Sequence, residues 1–113
     1  MPFIRVTTNA TIKKGSHEEL IEEFGKSITV ISGKTEKWLM LEFKDQAVMA
    51  FSGSSAPCAM VEVDLFGAAD EAEKSVLTSE ICEIIESIVG VPQDRVYVRY
   101  LETDTWGFDG ENF

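Results

Sequence analysis

Proline at position 2, directly after Met1, is the residue in this chain with the clearest capacity for chemistry. A small second residue licenses removal of the initiator methionine, and what remains is a secondary amine. A free α-amine titrates near pH 7.7 to 8.0, and apolar burial or a neighbouring cation lowers that value by disfavouring the ammonium. Held rigidly, such a nitrogen is a base that works near neutral pH. On position alone the plainer reading is a proline that opens a strand, where its missing N–H does no harm. Other reactive types are sparse. His17, between Ser16 and Glu18, has no second ligand at metal spacing and reads as surface, so no metal and no other cofactor is expected. Cys58 and Cys82 form no CxxC pair and are too few for a disulfide scaffold or a zinc site; Cys82 falls in an apolar helical stripe and reads as a buried thiol. Glu18, Glu19, Glu22 and Glu23 read as the solvated first turns of a helix, where negative charge is favourable. The segment Ser52 to Ser55 lacks the lysine and following helix of a phosphate loop.

To use that amine, the fold must carry it inward. Phe3, Ile4 and Val6 predict a strand over 2–8, followed by a turn from Asn9 to Gly15. Ser16 and Glu19 match capping-box spacing, and Leu20, Ile21, Phe24, Ile28 and Ile31 recur at helical spacing behind them. Gly33 stands where a left-handed cap ends such a helix, and Trp38 to Phe43 reads as the next strand. The second half repeats this plan. Val61, Val63 and Leu65 alternate with Glu62, Asp64 and Phe66, while Leu77, Ile81, Ile84, Ile85 and Ile88 form another helical stripe. Gly90 and Pro92 end that helix, and Val96 to Leu101 is the last long strand. Gly33 with Glu36-Lys37-Trp38 corresponds to Gly90 with Asp94-Arg95-Val96. The expected fold is α/β of the α+β kind: two pseudo-symmetric β-α-β units building a four-stranded mixed sheet with two helices on one face. It is a single domain over 1–113. The other sheet face stays bare, with Trp38, Met40, Tyr97 and Phe66 assigned to it, and self-association is the simplest way to cover it. Val48 to Phe51 could add a short strand, and Asp104 to Phe113 reads as a subunit-docking tail.

Pro2 after Met1, Thr8-Asn9, Gly33-Lys34, the run from Met49 to Ala59, Asp94-Arg95-Val96-Tyr97, Trp106-Gly107-Phe108 and Phe113 resemble, in order and spacing, the macrophage migration inhibitory factor family of the tautomerase superfamily. The resemblance spans the chain. It implies a homotrimer whose sheets surround a central channel, with three active sites at subunit interfaces. It also implies cofactor-independent keto-enol tautomerase activity on phenylpyruvate-like or dopachrome-like substrates. On this resemblance Pro2 is the catalytic base, Lys34 the substrate-binding lysine, and Tyr97 the tyrosine supplied by the neighbouring subunit. The roles suit the chemistry, since removing a proton next to a ketone needs a weak base, and the enolate and substrate carboxylate need cationic or hydrogen-bonding partners. Lys34 read alone is more simply a favourable cation at a helix C-terminus.

Three positions depart from the family pattern. Arg99 replaces an asparagine two residues beyond the tyrosine, on the same face as Tyr97 by strand alternation. It either binds a carboxylate bidentately or forms an interfacial salt bridge. Phe66 stands where the family has an isoleucine whose backbone N–H contacts substrate; the backbone contact can survive while the ring reshapes the pocket, or the ring is ordinary core. Val61 replaces the second cysteine of a CxxC, which removes the basis for a thiol oxidoreductase role. Trp106, Phe108 and Phe113 wall the active site on the resemblance, or pack at a subunit boundary, or both.

A formal charge of −10 over 113 residues argues against nucleic acid and against an anionic membrane surface as partners. No apolar run approaches the roughly 20 residues of a membrane span, and the N-terminus lacks the basic and apolar regions of a signal peptide. The expected location is cytoplasmic, with any release as a secreted protein independent of a signal peptide. The expected function is isomerase chemistry on a small aromatic keto acid by a homotrimer. Two alternatives stay open: cytokine-like or host-directed signalling through an unidentified receptor with incidental tautomerase activity, and another proline-based superfamily reaction, such as hydration or dehalogenation of an unsaturated acid, which needs a carboxylate to activate water.

Overall fold

Two strands of alternating apolar residues form the middle of the molecule. In the computed structural model, which describes residues 1–113, β1 (Pro2–Thr8) and β3 (Ala59–Phe66) pair antiparallel. Each has a parallel neighbour outside it, β2 (Met40–Lys44) beside β1 and β4 (Val96–Thr103) beside β3, giving the order β2-β1-β3-β4. Successive side chains point to opposite faces of a strand. Ile4 and Val6 of β1 therefore share one fully buried face with Val61, Val63 and Leu65 of β3. Helices α1 (Ser16–Ser27) and α2 (Glu71–Ile84) cover that face, burying Leu20 and Phe24 along the first and Leu77 and Ile81 along the second, with Ile28 and Ile85 buried just past their ends. Each such side chain contributes about 1.5–3 kcal/mol on burial, so this layer contact supplies most of the hydrophobic stabilisation.

The halves correspond beyond element order. α1 continues into a 3-10 turn at Ile28–Val30 and α2 into a π turn at Ile85–Val89. Each connection then passes through a left-handed glycine, Gly33 at φ 81° and Gly90 at φ 83°, a conformation open to glycine without steric cost. A second 3-10 turn follows in both halves, Glu36–Trp38 and Gln93–Arg95, and leads toward β2 or β4. Trp38 is thus the counterpart of Arg95 and ends a turn. The strand expected from Trp38 begins at Met40, and the tryptophan leaves the bare sheet face.

Other expectations are corrected by local geometry. Gly15, at φ 94°, occupies the N-cap of α1 and Ser16 is already helical, so no capping box forms. Ile21 is 46% exposed, because it lies about 100° around the helix from the buried line of Leu20 and Phe24. Val48 to Phe51 is not a strand. It belongs to a loop that closes in a tight turn, with Phe51 bridging Ser54 across the left-handed Ser52 and Gly53. Two side chains hold this loop. The Asn9 amide donates to the Ser55 and Ala56 carbonyls at 3.0 and 3.2 Å and accepts from the Cys58 N–H at 2.9 Å. The Arg95 guanidinium donates to the carbonyls of Pro57, Phe51, Ser54 and Ala56. Cys82 is half-buried rather than buried, and burial raises its thiol pKa. At the C-terminal end β5 (Gly107–Phe108) and β6 (Glu111–Asn112) form a hairpin through Asp109-Gly110, both left-handed as a two-residue hairpin turn requires. This hairpin folds back on its own chain. No helix is long and apolar enough to cross a membrane.

Candidate active site

The start of β1, the turn after α1, the end of β3 and the terminal hairpin converge on a cavity of about 650 Å³, open to solvent. Met1 lines it, and Pro2 behind Met1 is buried as the first residue of β1, opposite Leu65. The antiparallel register with β3 brings the chain start here, since the Phe66 N–H donates to the Met1 carbonyl at 3.1 Å. Lys34 arrives from the turn closed by its own amide on the Ile31 carbonyl at 3.0 Å, and its Nζ donates to the Phe66 carbonyl at 2.8 Å. Both backbone groups of Phe66 are therefore engaged at the cavity, one by the N-terminal residue and one by the lysine. The terminal amine lies beside Lys34, and its pKa falls from 8.0 to about 6, chiefly through burial and then through the lysine charge and hydrogen bond. That amine is Met1's; the Pro2 nitrogen behind it is an amide while Met1 is present.

The rest of the cavity is aromatic. Trp38 meets Phe108 edge to face at 5.2 Å, Phe108 stacks with Phe113 at 6.3 Å, and Phe113 lies 5.9 Å from Phe66. Such pairs add roughly 0.5–1.5 kcal/mol beyond the area they bury, which helps hold a two-stranded hairpin that is marginal alone. Asp109 and Glu111 stand on the hairpin side, and Lys34 is the only Lys or Arg in the lining. The arrangement can take a flat apolar ring between aromatic walls, hold an anion at Lys34, and present a nitrogen base next to it. No three His, Cys, Asp or Glu side chains converge as a metal-binding group.

Lys34, Phe66, Phe108 and Phe113 are thus brought together with the Met1-Pro2 start. Trp106 contributes its carbonyl, which accepts from the Phe113 N–H at 2.9 Å, while its ring is outside the lining. Tyr97 and Arg99 lie elsewhere in the chain, on the open face of β4. Tyr97 is 61% exposed, its ring edge-on to Phe51 at 5.0 Å. Arg99 donates to Glu62 at 3.1 Å. Arg5 meets Glu42 at 2.7 Å and Glu62 at 3.6 Å, and the strand register sets Glu42, Arg5, Glu62 and Arg99 in one row of alternating sign across the sheet. Of the two roles left open for Arg99, a salt bridge is the one displayed, within the chain. Trp38 and the hairpin carboxylates were not among the sequence candidates. The internal repeat held the signal for Trp38, but the correspondence of Glu36-Lys37-Trp38 with Asp94-Arg95-Val96 is one residue out: counting from Gly33 and Gly90 aligns Glu36–Trp38 with Gln93–Arg95 and moves Trp38 out of the strand. The Asp109-Gly110 dipeptide is itself a hairpin signature.

The family model for macrophage migration inhibitory factor matches residues 1–113. Macrophage migration inhibitory factor of Meriones unguiculatus is 25% identical over 115 residues, covering 100% of this chain and 99% of that protein. D-dopachrome decarboxylase-B of Xenopus laevis is 25% identical over 107 residues, covering 94% of this chain and 90% of its own. Among solved structures, MIF2 of Leishmania major superposes with a TM-score of 0.93 at 30% identity, over 100% of this chain and 97% of that one. Macrophage migration inhibitory factor of Toxoplasma gondii superposes at 0.90 with 21% identity, over 98% and 99% of the two chains, which speaks for the fold alone.

Proposed function

The chain belongs to the macrophage migration inhibitory factor family, and from that premise we propose that it is a keto-enol tautomerase for small aromatic keto acids, working as a homotrimer with Pro2 as base. The supporting observation is the chain start itself: the Met1 amine, its pKa lowered to about 6, stands in an aromatic cavity beside a lysine, directly before Pro2. Removal of Met1 changes two groups at once. It turns the Pro2 nitrogen from an amide into a secondary amine in the same surroundings. It also frees the Phe66 N–H, which now spends its hydrogen bond on the Met1 carbonyl. The place of that carbonyl oxygen is then open to an oxygen of the substrate.

The reaction follows from these parts. An arylpyruvate enters with its ring against Trp38, Phe108 and Phe113 and its anionic end toward Lys34. Pro2 nitrogen takes a proton from the carbon next to the ketone, the C–H electron pair becomes the new C=C bond, and the carbonyl oxygen gathers the negative charge. Lys34 and the Phe66 N–H stabilise that charge where it develops. The proton then returns to oxygen to give the enol, and the reverse order gives the ketone. Tyr97 would reach the cavity of a neighbouring subunit in the trimer, completing the ring's enclosure.

Intact-mass measurement paired with a phenylpyruvate enolisation assay tests the reading. Protein that has lost Met1 should be active, and retention of Met1 should cost about 10²- to 10⁴-fold, the usual worth of a positioned general base. Full activity in protein that quantitatively keeps Met1 would rule the mechanism out. Pro2→Gly should keep the fold and weaken catalysis.

A further inference from the structure

We propose that Glu73 is a positioning residue for this site: from the first turn of α2 its carboxylate clamps the turn Ile31–Lys34 and thereby sets where Lys34 meets the substrate anion. The proposal rests on the reading of Lys34 given above. The turn that carries the lysine has little local support. Gly33 is left-handed at φ 81° and Ser32 is exposed. A glycine also loses more conformational freedom on ordering than any other residue. Within the turn, one backbone bond closes it, from the Lys34 amide to the Ile31 carbonyl.

Glu73 supplies the missing constraint from 41 residues away. Its Oε1 accepts from the Ser32 N–H at 3.0 Å and its Oε2 from the Ser32 hydroxyl at 2.6 Å. A single carboxylate gripping the amide and the hydroxyl of one residue fixes both the position and the rotation of the backbone just before Gly33. These hydrogen bonds also hold the Glu73 carboxyl below its ordinary pKa, so it is the charged form that grips. At its other end Lys34 is tied by Nζ to the Phe66 carbonyl, at the end of β3. The loop leading from there into α2 is closed by Gly67 N–H on the Thr103 carbonyl at 2.7 Å and by Ala69 N–H on Glu102 at 2.5 Å. The backbone and the ammonium of Lys34 are thus both referenced to the entrance of α2. A lysine is a point charge on a flexible stem, so fixing its backbone is how the fold can fix its charge.

A carboxylate in the first turn of a helix also favours the helix dipole, and the experiment must separate that from positioning. Steady-state kinetics on phenylpyruvate and on its uncharged methyl ester are compared for wild type, Glu73→Gln, Ser32→Ala, Lys34→Ala and the Glu73→Gln/Lys34→Ala double variant, all lacking Met1 and all checked by thermal melting. Glu73→Gln should raise KM for phenylpyruvate by about tenfold, the scale of a lost charged hydrogen bond, with a much smaller effect on the ester. Ser32→Ala, which keeps the amide bond to the carboxylate, should show the same pattern more weakly. In the Lys34→Ala background, Glu73→Gln should add nothing. Equal losses on both substrates and in both backgrounds would mean the carboxylate only supports the fold, and the clamp is overturned. Lys34→Ala impaired with Glu73→Gln unimpaired sinks the clamp alone, whereas an unimpaired Lys34→Ala removes the role of Lys34 and the proposal with it. If Glu73→Gln does not fold, Ser32→Ala on its exposed turn carries the same comparison.

Discussion

At the scale of single residues, the proposed chemistry turns on one nitrogen and one ammonium. The Met1 amine is lowered to about 6 because burial and Lys34 both disfavour its cation, and the same two causes should lower the Pro2 nitrogen, one residue further into the fold, once Met1 is lost. A base is competent when neutral, so the acid limb of kcat/KM should lie below the roughly 7.7 to 8.0 of a free α-amine and level off above it. In Lys34→Ala that limb should move toward higher pH, since one of the causes of depression is gone, and a pH–rate series on both proteins measures the displacement. An unmoved limb would mean that Lys34 does not act on the base. Arg99 gives a contrasting expectation. Its guanidinium is paired with Glu62 on the open sheet face, so Arg99→Asn should change kcat/KM for phenylpyruvate and for its methyl ester equally. A loss confined to the charged substrate would assign Arg99 to anion binding instead.

At the scale of elements, the doubled β-α-β plan was legible because its periodicities are strong: Ile4 and Val6, then Val61, Val63 and Leu65 at period two, and Leu20, Phe24 and Ile28 at helical spacing, all end up buried. Candidate site residues on regular elements or glycine turns, such as Pro2, Lys34 and Phe66, were placed at one cavity by the same periodicities. What sequence did not give was the short irregular structure, because a three-residue 3-10 turn has no period to read and hairpin residues face a site made by distant segments. Trp38 and Asp109 are the examples. Charge pairing between elements was equally hidden, since nothing local links Lys74 of α2 to Glu102 of β4. Their ion pair at 2.9 Å, joined by Glu71 at 2.8 Å, ties the helix to the sheet. Hydrogen bonds to Glu102 and Glu71 hold Lys74 above the usual lysine range. Glu102 is held below its ordinary 4.5 by Lys74 and then by the Ala69 N–H. A carboxylate whose folded pKa is depressed contributes stability that is present above its unfolded pKa and lost as pH falls through the folded one. Glu73, on Ser32, and Asp45, on the Ile12 amide, act in the same direction. The melting temperature should hold from neutral pH to about 5 and fall below that. Protonation also relieves the repulsion of a chain at −10, so the decisive comparison is Glu102→Gln. It should melt lower at pH 7 and lose less than wild type between pH 5 and 3; parallel curves would show that the pair contributes nothing.

At the scale of the whole molecule, one face of the sheet is unfinished. Met40, Tyr97 and Leu101 stand on it at 67%, 61% and 51% exposure. Between Phe3 and Leu101 in the strand register, Asp64 keeps one carboxylate oxygen that is buried yet has no hydrogen-bond partner. A buried acceptor left unmet costs about 1–3 kcal/mol, which a donor from another copy would recover, and the apolar side chains beside it are those that association would cover. The neighbouring row of alternating charges, Glu42, Arg5, Glu62 and Arg99, is already satisfied within the chain, so it sets register and solubility rather than calling for a partner. These features favour association through this face, and because Tyr97 lies outside the cavity of its own chain, the proposed assembly would have to bring it to a neighbour's. On the proposed homotrimer, light scattering at micromolar concentration should return about three times the chain mass of 12.6 kDa. Tyr97→Ala should preserve that mass and raise KM for phenylpyruvate, because a contact to the ring is lost from the adjoining site. Mixing inactive Met1-retaining chains with an excess of Tyr97→Ala chains then makes trimers whose few intact tyrosines face intact bases, and recovery of the wild-type KM in that fraction is the expected signature of a shared site. A fully active monomer, or a KM in the mixed trimers no different from Tyr97→Ala alone, would confine each site to one chain.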